Sequence, residues 1–136
     1  MKHQKVATIV WTIDPEGKKR FLLRHNKPFD GYEDEWTITF GDIEKDENLE
    51  EAAKREASEE FGISEFEEIK KLNYKIEFDG KHGLTEAHFV VLKVKNLNIP
   101  ITLNEESIGY DWMLIEKAKE IMKHKDEKKA FDLISA

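Results

Sequence analysis

Three glutamates in the run Glu56-Ala57-Ser58-Glu59-Glu60 carry the first sign of chemistry. The stretch Leu49 to Phe61 reads as a helix. Asn48 suits its N-cap, Glu51 the acidic half of a capping box, and Gly62 the left-handed residue that ends it. At about 100° per residue, with Leu49 at zero, Ala53 falls at about 40°, Ala57 at about 80° and Ala52 at about 300°. These residues define an inward stripe. Glu56 falls at about 340° and Glu60 at about 20°, in the middle of that stripe, and Glu59 flanks it at about 280°. Three costs follow. Carboxylates against an apolar stripe lose solvation. Glu56 and Glu60 are like charges four residues apart. Glu59 and Glu60 occupy the last turn, where the helix dipole disfavours anions. A multivalent cation relieves all three, and oxygen-only donors suit a hard ion such as Mg2+ or Mn2+. The plainer alternative is a solvated acidic helix face, which charge runs usually are.

The elements that must position this helix are mostly strands. Val6 to Ile13 is apolar and β-branched, and Asp14-Pro15-Glu16-Gly17 forms a turn after it. Phe21 to Leu23 and Trp36 to Phe40 read as further strands, separated by a polar loop from Asn26 to Glu35. Beyond the helix, Leu72 to Phe78 alternates as a strand, 79–83 turns, and Ala87 to Val94 reads as a long central strand. Asn96 to Glu106 is loop, Tyr110 to Leu114 a last strand, and Ile115 to Met122 and Glu127 to Ile134 are helices. Strands and helices mix without strict alternation, so the expected fold class is α/β, a mixed sheet with helices on its faces.

At 136 residues the chain suits one domain, 1–136, with one core. It has no cysteine, which excludes disulfides and thiolate metal sites. No apolar run approaches a membrane span, so no membrane partner is expected. The start reads as a first strand, not a signal peptide, and a cytoplasmic location is the default expectation. A nucleic-acid-binding domain would normally show a basic face, and the net charge of −7 argues against one, an RNA 5′ end being the exception kept open. A small polyphosphate remains compatible, given a cation or a local cluster such as Arg20, Arg24 and Lys27. The five histidines show no ligand spacing, which argues against a histidine metal site.

The helix and the residues before it resemble the Nudix box, G-x5-E-x7-R-E-U-x-E-E-x-G-U with U aliphatic. Gly41, Glu47, Arg55, Glu56, Glu59, Glu60 and Gly62 stand at every fixed position of that pattern, with Ala57 and Ile63 at the aliphatic ones. The resemblance implies an α/β/α sandwich whose catalytic element is strand, loop and helix. It implies that Glu56, Glu59 and Glu60 bind Mg2+ or Mn2+. It further implies that Arg55 orients Glu56 with Glu47 as ion partner, that the Phe40 carbonyl is a metal donor, and that Gly41 meets substrate. A box glutamate, or one on a distant loop, would activate water. In the family's dinucleoside-tetraphosphatase branch a glutamate precedes the last aromatic strand at about the place of Glu106, which adds Glu106 to the metal set. Three departures stand out: Thr39-Phe40 before Gly41, Asp46 in place of a common glycine, and Asp42 where a basic or small residue is usual.

The implied function is Mg2+-dependent cleavage of a pyrophosphate bond in a nucleoside polyphosphate, with a dinucleoside tetraphosphate favoured by the tail. Arg24 and Lys27 would grip phosphates and Tyr32 would offer an aromatic platform. The alternatives are a nucleotide-pool clean-up enzyme, an RNA 5′-end pyrophosphohydrolase, or a non-catalytic nucleotide-binding module. Intact Arg55, Glu56, Glu59 and Glu60 argue against the last. The chain is expected to work as a monomer or homodimer.

Overall fold

The computed structural model describes residues 2–28 and 35–134. Its centre is β1 (His3–Ile13), whose apolar run is continuous because both faces of the strand are covered. Side chains alternate across it. Val6 and Val10 face one layer, and Ala7, Ile9 and Trp11 face the other. Along one edge β1 pairs in parallel with β6 (Gly83–Lys93), from His3↔Thr85 to Trp11↔Lys93. The other edge is shared: β4 (Thr39–Asp42) takes Lys5 to Thr8, and β2 (Lys19–Asn26) takes Val10 to Ile13, both antiparallel. β3 (Glu35–Thr37) and β7 (Ser107–Met113) pair with β2, and β5 (Glu68–Gly80) closes the sheet against β6.

Helix α1 (Leu49–Phe61) covers one face, packing Ala52, Ala53, Ala57 and Phe61 on Val6, Val10, Leu22, Val90 and Leu92. Helices α2 (Ile115–Ile121) and α3 (Lys125–Asp132) cover the opposite face through Ala118, Ala130 and Phe131. The result is the expected α/β/α sandwich around a mixed sheet. No helix among the described residues is long and apolar enough to cross a membrane.

Most strands run a few residues past the bounds read from sequence, α3 lies two residues earlier, and two further differences bear on the site. Trp36 to Phe40 is not one strand. The chain changes partner at the buried Ile38, leaving β2 and joining β1, which an alternating pattern does not reveal. β5 begins at Glu68, four residues earlier than its apolar alternation. Its outer positions Lys70, Lys71 and Lys75 pair with the apolar β6, and charge along an edge strand discourages further pairing.

Candidate functional site

The capping box forms as read. Asn48 Oδ1 accepts from the Glu51 amide at 2.8 Å and Glu51 Oε1 accepts from the Asn48 amide at 3.0 Å. Gly62 ends the helix at φ 69°, donating to the Ser58 carbonyl at 2.9 Å. These local devices fix which face α1 turns to the sheet. Three alanines on that face bring it close. Glu56 and Glu60 go in with them, at 7% and 6% exposure, while the Glu59 side chain remains 55% exposed. Gly41 on β4 lies under Glu56, and a Cβ there would overlap the Glu56 carboxylate. The glycine therefore makes room for a buried acid. Asp46, in the loop between, holds φ 67°, which explains why a glycine suits its place and why aspartate tolerates it.

Arg55 is the hub. Its Nε and Nη2 donate to Glu47 at 2.8 and 3.0 Å in a bidentate pair, and Nη1 donates to Glu56 Oε1 at 2.9 Å. Nη1 also reaches Glu59 at 3.3 Å, and Nη2 donates to the Asp42 carbonyl at 2.7 Å. One guanidinium thus ties the end of β4, the loop and two glutamates of α1 together. The carboxylates around it raise its already high pKa further.

Glu60 faces a different neighbourhood. Arg24 Nε on β2 lies 3.7 Å from Glu60 Oε2, and Arg24 Nη1 donates to Ser107 Oγ at 3.2 Å. Asn104 and Glu106 approach Glu60 from the loop before β7. That loop is pinned at both ends. The Lys27 amide donates to the Glu106 carbonyl at 2.9 Å, and the Thr102 amide donates to the last-turn carbonyl of Phe61 at 2.8 Å.

The cluster fits a hard cation. Glu60 Oε2 is buried without a hydrogen-bond partner, an expensive state for a carboxylate oxygen. Burial pushes the Glu56 carboxyl up to about 7 against the pull of Arg55, with Glu59 and Glu60 adding to the rise. Burial also raises Glu60, opposed by Arg24 and reinforced by Glu106. Buried oxygens that resist ionisation together are the donors a divalent ion satisfies.

A second raised acid lies across the sheet. Glu127 on α3 is 3% exposed, and burial, with Glu35 and Asp126 nearby, lifts it to about 7. Both Glu56 and Glu127 bind protons more tightly when folded than at the ordinary value of 4.5. Their contribution is therefore full below pH about 4.5, falls through the interval up to about 7, and is absent above, amounting to about 3 kcal/mol per group. Lowered acids such as Glu47 and Glu86 act below this window. Melting curves in chelator should show stability falling from pH 5 to pH 8, and Glu127→Gln should make the fall smaller, leaving the part that belongs to Glu56 and Glu60. A fall of unchanged size in Glu127→Gln would contradict the assignment.

Glu127 also lines a cavity of about 600 Å3 with Lys5, Phe40, Ile76, Phe78 and Lys125. Phe40 turns its ring into this space, edge-on to Phe78, while its neighbour Gly41 faces α1. The cavity and the carboxylates thus flank the same short strand.

Among the residues read from sequence, Arg24, Glu47, Arg55, Glu56, Glu59, Glu60 and Glu106 converge on α1. Lys27 is exposed at the end of β2, and it is its backbone that contacts the Glu106 loop. Arg20 points elsewhere, donating to Asp14 at 2.9 Å. Tyr32 lies outside the described residues. The Asp42 carbonyl, Asn104 and Glu127 were not singled out beforehand. Despite their lack of ligand spacing, His3 and His82 meet Asp42 at one end of the sheet, with donor atoms all within 4.8 Å.

A family model described as NUDIX domain matches residues 2–134. The chain is 28% identical over 95 residues to the asymmetrical bis(5′-nucleosyl)-tetraphosphatase of Mus musculus, covering 68% of this chain. It spans 65% of that relative's length. Among solved structures, the C. elegans Ap4A hydrolase binary complex superposes with a TM-score of 0.76 at 20% identity, over 96% of this chain and 95% of that one. The E. coli dihydroneopterin triphosphate pyrophosphohydrolase does so with a TM-score of 0.77 at 18% identity, over 97% and 95%. The likeness to these two is one of fold. With the match running through nearly every element of the sandwich, the chain belongs to the NUDIX domain family.

Proposed function

We propose that the protein is a divalent-metal-dependent hydrolase that cleaves a pyrophosphate bond in a nucleoside polyphosphate, with a dinucleoside tetraphosphate as its substrate class. The observation that carries this reading is the burial of Glu56 and Glu60 side by side on the packed face of α1, with Glu60 Oε2 accepting no hydrogen bond. Arg55 satisfies one oxygen of Glu56 and Arg24 lies 3.7 Å from Glu60, yet both carboxyls stay raised by burial, so these partners do not offset the cost of two acids there. A divalent cation with phosphate oxygens explains both. Bound Mg2+ supplies neutralisation of the bridging phosphates and a water of lowered pKa.

The chain's own residues do the rest. Glu56 and Glu60, with the more exposed Glu59, would hold the ion. Arg55 keeps Glu56 oriented and Glu47 keeps Arg55 in place. Glu106, on a loop anchored to β2, stands where it can add a donor or accept the proton of the attacking water. Arg24 stands beside Glu60, where its charge can meet a phosphate. The cavity across β4 has the volume of a nucleoside site, two aromatic rings, and lysines at its border.

The mouse relative is named for asymmetrical cleavage. For this chain that outcome means water attacking one terminal phosphate of diadenosine tetraphosphate, the adjacent phosphoanhydride breaking, and ATP and AMP leaving. Chromatography of the products with Mg2+ present is the test. ATP with AMP is expected. Two ADP would contradict the asymmetric attack, and no cleavage alongside rapid hydrolysis of a modified nucleoside triphosphate would overturn the substrate class.

A further inference from the structure

We infer that His3, Asp42 and His82 form a second, separate site for a transition-metal ion of the zinc class. The three residues come from distant points: His3 opens β1, Asp42 ends β4, and His82 occupies the turn joining β5 to β6. The sheet brings them together. The β1–β4 register sets Lys5 opposite Asp42, and the β1–β6 register starts at His3 opposite Thr85. His3 Nε2 lies 2.8 Å from Asp42 Oδ1, the His3 and His82 rings are 4.6 Å apart, and one donor atom of each residue lies within 4.8 Å of the others.

Metal–ligand bonds of about 2.0–2.2 Å to imidazole nitrogen and carboxylate oxygen set tetrahedral donors about 3.4 Å apart, so the His3–Asp42 pair at 2.8 Å would open a little and His82, within 4.8 Å, would close in. His82 sits on a two-residue turn beside Gly83 at φ 89°, so the closing movement falls on an exposed loop. Two imidazoles with one carboxylate select zinc, nickel or copper over magnesium, whose preference is oxygen. Three protein ligands leave a position for water. Lys5 Nζ, 3.6 Å from Asp42 Oδ1, is the competing cation and would swing out to solvent.

The site is distinct from the buried glutamates in donors and in place, yet it shares a residue's backbone with them. The Asp42 carbonyl accepts from Arg55 Nη2 at 2.7 Å. An ion on the Asp42 side chain would clip the ends of β1, β4 and the β5–β6 turn, and so brace the strand on which Arg55 leans.

The test is calorimetric titration of the full chain with Zn2+ in excess Mg2+, which keeps the carboxylate cluster occupied. Zinc uptake with one ion per chain is expected in the wild type and in Glu60→Gln. In His3→Ala and in His82→Ala it should weaken by about 100-fold or more. His82→Ala should leave Mg2+-dependent turnover and the metal-free melting temperature unchanged, since the residue is exposed and outside the hydrolytic cluster. Zinc uptake that survives in His82→Ala, that is lost in Glu60→Gln, or that never occurs in the wild type at micromolar zinc would overturn the assignment. The Glu60→Gln arm also separates this site from the proposed hydrolytic one, because each can fail without the other.

Discussion

Arg55→Ala is expected to lower kcat by about 10²–10³-fold while leaving the fold in place. The loss follows from what the guanidinium holds. It grips Glu47 with two bonds, Glu56 with one and the Asp42 carbonyl with one. Without it, Glu56 keeps its burial but loses the guanidinium that opposes that burial, and its carboxyl rises further above the ordinary value. An acid that is neutral and free to rotate holds neither a cation nor a geometry. The core does not depend on Arg55, whose side chain is 22% exposed and lies at the border of the packed face. Arg55→Lys should recover little, because an ammonium is a point donor and lacks the planar fork that binds Glu47 bidentately while reaching Glu56. Steady-state kinetics on both variants, with circular dichroism to verify folding, decides the matter. Wild-type turnover in Arg55→Lys would show that charge alone matters and that the orienting role is wrong.

The parts of this arrangement that were legible in sequence are the local ones. Asn48, Glu51 and Gly62 act within one turn of the helix, so α1 was readable to its last residue. The burial of Glu56 and Glu60 followed from helical angle, since only one stripe of α1 carries alanines. Glu127 was open to the same argument: it lies three and four residues before Ala130 and Phe131, on the stripe of α3 that packs inward. What could not be read depends on strand register. The change of partner at Ile38, the Asp42 carbonyl under Arg55, and the meeting of His3 with His82 all arise from pairings between segments far apart in the chain. Spacing along a sequence carries no record of such pairings. The cavity between β4, β5 and α3 is hidden for the same reason.

Glu60→Gln should have the other large effect, and it acts in opposite directions on stability and on activity. In the metal-free protein, burial outweighs Arg24 at this position, since the Glu60 carboxyl is raised overall. The charged form is therefore disfavoured in the fold at pH 8, and a neutral isostere removes that penalty. Metal-free Glu60→Gln should melt higher than the wild type. Mg2+ binds the folded wild type alone and so raises its melting temperature by mass action. The variant, short of one buried anionic donor, should lose that response along with its turnover. The most direct measurement pairs the two readouts on wild type and Glu60→Gln at pH 8: melting temperature as Mg2+ is added, and the initial rate of diadenosine tetraphosphate hydrolysis. A magnesium-dependent rise and measurable hydrolysis are expected in the wild type, with no rise and a rate lower by about 10³-fold in the variant. An equal magnesium shift in both proteins, or equal rates, would contradict this expectation.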